Sequence, residues 1–304
     1  MLRANDLIEE MSGDLGILPA HLAQIIRTAP LRYKVFRIKK KKPGEFREVA
    51  QPAREVKAIQ YWVIVRFGDR LPVHSAATAY SEGSSIKENA RRHVASNYML
   101  KMDFRNFFPS ILASDIERHL ENTLPDELDG SARALISRVC CWAPMRTPPL
   151  RLCIGAPTSP LLSNSIMYRF DDLMSKLAIA DGVEYTRYAD DLTFSTKYAG
   201  TLDRYKDHVA GALRELEYPR LSINQEKTVF ASRASHRKVT GVVLTPTGTL
   251  SLGRERKRII RAMFHRNSLG LLSQDEKKHL AGLLAFADSI EPGFSERLSG
   301  AKEP

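Results

Sequence analysis

The stretch VEYTRYADDLTFST, residues 183–196, decides the fold, because it predicts two short strands joined by a turn that carries Asp190 and Asp191. Two adjacent carboxylates at the tip of a hairpin repel each other, and a divalent cation relieves that cost. Magnesium suits a site where a few hard oxygen ligands are completed by water or phosphate. Taken alone, an Asp-Asp pair is explained better by an ordinary turn, where aspartate is common.

The elements on both sides of this hairpin follow the order strand, helix, strand, strand, helix, strand. That order is the split βαβ unit, which predicts an α+β fold with a ferredoxin-like antiparallel sheet and helices on one face. The predicted elements besides the hairpin are a strand that leads into a loop (98–108), a long helix (161–177), a second helix (202–217) and a short strand (within 220–230).

Asp103 changes the interpretation of the Asp-Asp pair. It ends the first strand of the unit, and in this topology that strand lies beside the hairpin, so its carboxylate is expected to face Asp190 and Asp191. Two metal ions about 3.5–4 Å apart can hold the attacking and leaving oxygens of an in-line phosphoryl displacement. The chain has no Walker A motif and no kinase-type glycine loop, so the phosphates must be bound by other groups.

The composition is that of a basic, globular chain. Its 304 residues are 43% hydrophobic and carry a net charge of +11, which predicts a polyanionic partner, nucleic acid before a membrane surface. A merely soluble basic protein is the alternative. The cysteines are odd in number and lack C-x-x-C spacing, which disfavours a disulfide framework or a zinc ribbon and fits a reducing compartment. Since the sequence contains no secretory signal and no membrane span, we expect a cytoplasmic protein without a membrane partner.

Three regions are predicted along the chain. Residues 1–97 hold N-terminal helices, a hairpin made of YKVFRI and FREVAQP, and an amphipathic helix at 54–67. Residues 98–232 hold the split βαβ unit with a helical insertion at 114–149. Residues 233–304 hold a strand, KVTGVVL, and a mostly helical end. Because no Gly/Ser-rich linker separates the regions, we expect subdomains that share one body.

Several motifs, in this order, resemble those of the reverse transcriptases, and within them the bacterial retron type. The match covers most of the chain, and YADD alone would be weak evidence. The matching motifs are FREVAQP with KAIQYW for the fingers, KMDFRNFFPSI for the first palm motif, GAPTSPLLSN for the loop and helix under the template and incoming nucleotide, YADD for the catalytic box, and NQEKTVF for the following lysine motif.

Two further motifs narrow the resemblance to retrons. NARRH, with Asn89 and His93, matches the retron pattern Asn-Ala-x-x-His, and VTG, with Val239, Thr240 and Gly241, matches the retron Val-Thr-Gly triplet. Taken alone, NARRH is explained better as a polar helix face, and VTG is explained better as a core strand that ends in a turn. Together they favour a retron enzyme over a group II intron or diversity-generating one, and both are expected to contact RNA.

The resemblance implies a right-hand polymerase with fingers (1–97), a ferredoxin-like palm (98–232) and a mostly helical thumb (233–304). It implies an RNA-directed DNA polymerase that uses two Mg²⁺ ions, with Mn²⁺ as a substitute, held by Asp103, Asp190, Asp191 and the backbone carbonyl of Phe104. The implied partners are dNTPs, a cognate non-coding RNA of msr–msd type with its DNA product, a separate effector protein and a host ribonuclease H. Priming from a guanosine 2′-hydroxyl would give branched RNA–DNA (msDNA) that serves antiphage defence.

The same resemblance assigns roles around the nucleotide. Arg47 would clamp the triphosphate, since a guanidinium suits phosphate, and Phe108 would lie beneath the sugar and exclude a ribose 2′-hydroxyl. Gly155 and Ala156 would form a compact loop that lets nucleic acid approach closely. Lys227 would protonate or neutralise pyrophosphate, with an ordinary surface lysine as an equal alternative. The sequence departs from the family at residue 154, where isoleucine replaces the usual glutamine, and this puts nucleotide positioning in doubt.

The thumb contains a basic stretch, LGRERKRIIRAMFHR, residues 252–266. Helical spacing predicts that Ile259, Ile260 and Met263 pack inward and that the cations face phosphates. A solvated charged face is the alternative. The lysine loop at 39–42 is expected either to touch RNA or to be only a solvated hairpin tip. The cations assigned to primer and template are Arg254, Arg256, Lys257, Arg258 and Arg261.

Two rival functions remain at this point. A non-retron bacterial reverse transcriptase would share the palm but lack priming from a 2′-hydroxyl. A non-catalytic RNA-binding scaffold would need only the basic surface, and the presence of Asp103, Asp190 and Asp191 argues against it.

Overall fold

A computed structural model describes residues 1–39, 44–81 and 83–300 of the chain. The helices of this described part are α1 (Ala4–Leu15), α2 (Pro19–Thr28), α3 (Arg54–Phe67), α4 (Ile86–Arg92), α5 (Ala113–Thr123), α6 (Gly130–Cys140), α7 (Thr158–Ile166), α8 (Tyr168–Ala180), α9 (Tyr205–Glu215), α10 (Arg254–Ser268), α11 (Gln274–Ile290) and α12 (Phe294–Gly300). The strands are β1 (Tyr33–Lys39), β2 (Phe46–Pro52), β3 (Tyr98–Asp103), β4 (Glu184–Tyr188), β5 (Asp191–Thr196), β6 (Val229–Ser232), β7 (Arg237–Val239), β8 (Val242–Leu244) and β9 (Leu250–Ser251).

The central sheet has the strand order β4-β5-β3-β6, and every neighbouring pair is antiparallel. With α7 and α8 between β3 and β4, and α9 between β5 and β6, this is the split βαβ topology that the sequence predicts. The fold class, an α+β right-hand polymerase arrangement, is confirmed.

Alternate residues of β3 contribute to two different cores, which is what a strand with a period of two does when both faces are covered. Leu100 and Met102 belong to the main core, together with Phe170 of α8. Met99 belongs to a second core, shared with Val239 of the thumb region. The sheet therefore has helices on one face and the C-terminal region against the other.

The long helix predicted at 161–177 is two helices, α7 and α8, and the prediction of one helix is wrong. Met167 separates them with φ −81° and ψ 0°, a conformation that turns the chain out of the helical path. Its side chain is fully buried, so the apolar pattern runs through the break and hides it.

The fingers hairpin and the following helix agree with the sequence prediction. β1 pairs with β2 in antiparallel register from Tyr33 opposite Pro52 to Lys39 opposite Phe46. The predicted insertion also has its own helices, α5 and α6, of which α6 packs on α1, α2 and α3. The lysine loop predicted to touch RNA lies outside the described residues from residue 40 to residue 43.

The strand predicted for KVTGVVL is a tight hairpin instead, β7 followed by β8. Thr240 and Gly241 form its two-residue turn with φ of +46° and +90°, and positive φ at both central residues is the type I′ pattern that suits hairpins. This hairpin, β9 and helices α10–α12 surround the second core. The boundaries at 97 and 232 stay a prediction.

In the part of the chain that the structure describes, no helix combines the length and the apolar character needed to cross a membrane.

Candidate active site

The three predicted carboxylates meet at one end of the central sheet. Asp103, the last residue of β3, is paired directly with Asp191, the first residue of β5. Asp190 occupies the turn before β5, and its backbone carbonyl accepts a hydrogen bond from the N–H of Phe104 at 3.0 Å. The sheet register thus brings together residues that are far apart in the chain.

The turn that carries Asp190 has only two residues between paired positions, because Tyr188 lies opposite Asp191. Its first residue, Ala189, has φ +55°, in the left-handed region. That conformation costs a non-glycine residue about 1 kcal/mol or more. The strained turn presents the two aspartates at the edge of the sheet next to Asp103.

Burial and mutual repulsion destabilise the charged form of these carboxylates. Burial raises the pKa of Asp190, the charge of Asp103 raises it further, and Lys227 and Arg47 oppose the shift. Burial also raises the pKa of Asp191 to about 6, against the positive charge of Lys101 and with help from Asp190 and Asp103. A concentration of negative charge of this kind favours a bound cation.

Lys227 places its ammonium group on Asp103. Its Nζ lies 2.8 and 2.7 Å from the two carboxylate oxygens of Asp103, while 55% of the lysine side chain remains exposed. Burial lowers the pKa of Lys227, but the hydrogen bond and the charge of Asp103 outweigh burial and raise it overall. Lys227 is therefore a protonated group at the centre of the site.

The carboxylates of Asp103, Asp190 and Asp191 are donors that suit a divalent metal, although their side chains are not arranged around a common point. Among the described residues, no three acidic, histidine or cysteine side chains are grouped so as to hold a metal ion. Around Asp103 the ammonium of Lys227 takes the place that a cation would take. All three acidic donors are hard oxygen ligands, which suits magnesium. The backbone of Phe104 lies beside Asp190, as its N–H bond requires.

Arg47 and the loop at 154–156 lie on the side of the site that faces the fingers. The positive charge of Arg47 lowers the pKa of Asp190 slightly, so the exposed Arg47 lies near enough to this carboxyl to act on it. The backbone N–H of Ala50 donates to the carbonyl of Ile154 at 2.9 Å, which joins this loop to β2. At Gly155, with φ +116°, an added Cβ would lie 2.9 Å from the Ala50 carbonyl oxygen, so only glycine fits.

Two of the predicted nucleotide contacts differ in exposure. Ala156 is buried in a small cluster with Ala50, Trp142 and Cys153, so its side chain supports the loop rather than an open binding surface. Phe108 is half-buried and available to a ligand, whereas Phe104 and Phe107 are buried and stack on each other at 5.6 Å. Phe104 and Phe107 therefore belong to the core, and the place of Phe108 beneath the sugar stays a prediction.

His93 and Asn89 do not reach the surface, and their expected contact with RNA stays a prediction that would require this packing to open. His93 is fully buried, with Nδ1 2.8 Å from Ser195 Oγ and Nε2 2.7 Å from Thr186 Oγ1. Both polar atoms of the Asn89 amide are buried without a partner. Through its two bonds, His93 joins the end of α4 to β4 and β5.

The two retron motifs nevertheless come together. Thr240 Oγ1 donates to the backbone carbonyl of Ile86 in α4 at 3.2 Å, and α4 packs on β7, β8 and β9. Val239 is fully buried in the second core, so its side chain is not exposed to RNA here and its expected contact stays a prediction. Thr240 and Gly241 at the hairpin tip stay partly exposed. The tip of VTG is therefore the accessible part of the two motifs.

The basic helix α10 has a narrower buried stripe than expected. Ile260 is buried and Met263 half-buried, but Ile259 is 48% exposed, and its predicted inward packing is wrong. The inward stripe follows residues 256, 260 and 263, one position in every turn, and residue 259 falls beside it.

The cations of α10 divide into two groups. Arg256 lies over the ring of Phe286 at 5.0 Å, and Lys257 Nζ pairs with Glu291 at 2.7 Å, so both serve the thumb core instead of facing outward. The exposed cations are Arg254, Arg258 and Arg261. These three keep the role of phosphate contacts as a prediction.

The structure adds two residues to the site that the sequence analysis missed. Lys101 precedes Asp103 by two positions on β3, and its charge acts on Asp191. The period of two could have revealed it. Burial and the charge of Asp190 raise the pKa of the Tyr80 hydroxyl, which places Tyr80 near the aspartates. Tyr80 has φ +62° and no local sequence signal.

Comparison with known proteins gives one consistent family. The family model described as reverse transcriptase (RNA-dependent DNA polymerase) matches residues 38–244. The retron Ec83 reverse transcriptase of Escherichia coli is 41% identical over 268 residues, which cover 88% of this chain and 85% of that protein. The retron Ec86 reverse transcriptase of Escherichia coli is 32% identical over 292 residues, which cover 96% and 87%.

A structural comparison supports the fold alone. A telomerase from Candida albicans, solved with a fragment of telomeric RNA, matches with a TM-score of 0.52 at 12% identity. The match covers 88% of this chain and 56% of the telomerase chain. The shared feature is the right-hand arrangement around the palm sheet.

Proposed function

The chain belongs to the retron reverse transcriptases and is an RNA-directed DNA polymerase, and from this premise we propose how its residues act and which RNA it copies. It copies part of a cognate structured RNA into single-stranded DNA at the site formed by Asp103, Asp190 and Asp191. The observation that carries this proposal is the direct pairing of Asp103 with Asp191 beside the turn that holds Asp190.

The three carboxylates, with the backbone carbonyl of Phe104, would hold two magnesium ions, for which manganese could substitute. Ions bound there would supply a lower pKa for the attacking hydroxyl and positive charge for the departing pyrophosphate. Lys227 carries a proton next to the carboxylates. Lys227 would leave Asp103 and act on the pyrophosphate in one of two ways: as a cation that neutralises its charge, or as an acid that protonates it.

Residues from the fingers and the palm select the nucleotide. The Arg47 guanidinium binds the triphosphate in the fork geometry that suits phosphate oxygens. Phe108 occupies the space that a ribose 2′-hydroxyl would need, so deoxynucleotides are preferred. Gly155 allows the backbone to approach the nucleotide and β2 at the same time.

The RNA partner is a non-coding RNA of msr–msd type that serves as both template and primer. Its guanosine 2′-hydroxyl starts synthesis, and the product is branched RNA–DNA, from which a host ribonuclease H removes template RNA. The similarity to retron reverse transcriptases over most of the chain supports this. Thr240, Gly241 and the exposed arginines of α10 contact the RNA. A separate effector protein acts with this product in antiphage defence.

Nucleic acid that co-purifies with the protein tests the retron assignment. The chain is expressed with its upstream genomic segment, and the bound nucleic acid is sequenced before and after treatment with an RNA debranching enzyme. We expect DNA joined to RNA at one guanosine, released by the enzyme, and absent from an Asp190→Asn, Asp191→Asn variant. Free, unbranched DNA would indicate a non-retron reverse transcriptase, and RNA without DNA in both samples would indicate a scaffold.

A further inference from the structure

A buried ion pair connects the strand that leads into the aspartate turn with the helix beneath it. Arg187 lies on β4 and Asp171 on α8, and both side chains are fully buried. Arg187 Nη2 lies 2.6 Å from Asp171 Oδ2, and Arg187 Nε donates to Asp171 Oδ1 at 2.9 Å. The pair is thus bidentate, which fixes the guanidinium plane.

The remaining polar atoms of the pair are also bonded. Tyr185 donates its hydroxyl to Asp171 Oδ1 at 2.7 Å. Arg187 Nη1 donates to Asn164 Oδ1 at 3.2 Å, and Asn164 Nδ2 donates to the carbonyl of Ala79 at 2.8 Å. A buried charge pair is tolerated when its other hydrogen bonds are satisfied in this way.

One bond of this network reaches the catalytic turn itself. Arg187 Nη1 donates to the backbone carbonyl of Ala189 at 3.1 Å. Ala189 is the residue with φ +55°, directly before Asp190. The backbone of Arg187 is fixed as well, since its N–H donates to Ala76 O and its carbonyl accepts from the N–H of Thr78, both at 2.8 Å. The guanidinium of Arg187 therefore connects a residue with a hydrogen-bonded backbone to the strained peptide of Ala189.

Stability alone does not account for this arrangement. Well-packed apolar residues commonly stabilise a core as much as a buried ion pair does, or more. An apolar pair, however, offers no donor to the Ala189 carbonyl. The turn has an alanine where a left-handed residue is usually glycine, so its shape depends on a contact from outside the turn.

We propose that Arg187 is a positioning residue, held by Asp171, that keeps the Ala189 peptide in its left-handed conformation and thereby directs Asp190 and Asp191 towards Asp103. The inference rests on the proposed role of these aspartates. Neither Arg187 nor Asp171 touches the reacting atoms, and their effect on polymerisation passes through the turn.

The test replaces the ion pair by an apolar pair, Arg187→Met with Asp171→Leu, and measures thermal unfolding together with kcat and KM for dNTP in primer extension. The Arg187→Lys variant keeps the charge pair but cannot reach both Asp171 and the Ala189 carbonyl. Tyr185→Phe is the matched control, because it removes a bond to the same carboxylate and leaves the bond to the turn. Each arginine variant is also made with Ala189→Gly.

We expect the arginine variants to fold and to lose at least tenfold in kcat, with KM for dNTP within threefold of wild type. Ala189→Gly should restore part of kcat in the arginine variants, because glycine adopts positive φ without the tether. Tyr185→Phe should lower thermal stability and leave kcat near that of the wild type.

The proposal is overturned if a folded arginine variant keeps kcat within twofold of the wild type, if Tyr185→Phe loses as much kcat, or if Ala189→Gly restores nothing. Failure of both arginine variants to fold would assign the pair to stability and overturn it too. The Asp190→Asn, Asp191→Asn variant separates the two claims: wild-type activity in that variant would remove the proposed role of the aspartates.

Discussion

Asp103 and Asp191 lie directly opposite each other in the antiparallel pairing of β3 with β5. Because side chains alternate between the two faces of a strand, this register puts both carboxylates on the same face of the sheet. A slip of one residue would move one of them to the other face. The sheet register therefore positions Asp103 and Asp191, while Asp190 lies in the turn before β5.

Replacement of Lys227 by methionine should separate turnover from metal binding. The ammonium of Lys227 lies on both oxygens of Asp103 and competes there with a cation. We expect Lys227→Met to lower kcat by about 100-fold, as the loss of a general acid does, while the Mg²⁺ concentration for half-maximal rate falls. Mg²⁺ titration of primer extension measures both, with Lys206→Met as the control. A rise in both kcat and the Mg²⁺ requirement would contradict the assignment.

Phe108→Ala should weaken the discrimination between deoxynucleotides and ribonucleotides. The ring is half-buried, and under the proposed role its removal opens space for a 2′-hydroxyl. We expect the preference for dNTP over rNTP, as a ratio of kcat/KM, to fall by about 10- to 100-fold. Phe107→Ala is the comparison, since the loss of that buried ring should cost about 3–5 kcal/mol of unfolding free energy. An unchanged preference for dNTP over rNTP in Phe108→Ala would contradict the proposed role of Phe108.

Acid should destabilise the protein through His93. Burial lowers the pKa of His93 to about 3, so below pH 6.5 the unfolded chain takes up a proton that the folded protein excludes. The stability present above pH 6.5 is therefore lost as the pH falls towards 3, by about 2 kcal/mol between pH 6.5 and pH 5. Denaturant unfolding of His93→Gln should vary less with pH over this interval than that of the wild type.

The exposed His21→Gln variant is the control for this comparison. His119, whose pKa is lowered to about 4 by burial, acts in the same direction and keeps part of the dependence in both proteins. If His93→Gln and the wild type lost the same unfolding free energy between pH 6.5 and pH 5, the buried neutral His93 would be ruled out.

The exposed arginines of α10 should account for part of the salt dependence of RNA binding. Each phosphate contact contributes about 0.7–0.9 to the slope of log K against log salt. Replacement of Arg254, Arg258 and Arg261 by glutamine should make the slope shallower by about 2–3. Lys257→Gln should lower thermal stability without changing the slope, because Lys257 pairs with Glu291. Equal slopes of log K against log salt for the triple variant and the wild type would show that these three arginines do not contact RNA phosphates.

The palm and the fingers could be predicted because their patterns are local. The hairpin 183–196 and the strands 33–39 and 46–52 have the expected alternation and turn residues, and the order of elements leaves one common topology. The end of β3 at Asp103 then follows from that topology. The carboxylate cluster was within reach of the sequence because it depends on strand order more than on side-chain detail.

Other features depend on contacts that no local pattern reveals. His93 has hydrogen-bond partners in β4 and β5, about 100 positions further along the chain. Because these partners are not local, the sequence around His93 does not distinguish an exposed polar helix face from a buried one. Thr240 adopts positive φ although β-branched residues avoid it, which hid the hairpin. Arg187 precedes YADD by one position, yet its meaning appears only with Asp171 and the Ala189 carbonyl in place.

The most direct test of the central claim is single-nucleotide primer extension by the purified protein with Mg²⁺, comparing the wild type with Asp103→Asn, Asp190→Asn and Asp191→Asn. Asp172→Asn is the matched control, since Asp172 is a partly exposed carboxylate of α8 that pairs with Lys176. We predict that each of the three variants folds and loses at least about 100-fold in rate, while Asp172→Asn extends like the wild type. A folded Asp103→Asn variant that extends the primer at the wild-type rate would contradict the claim.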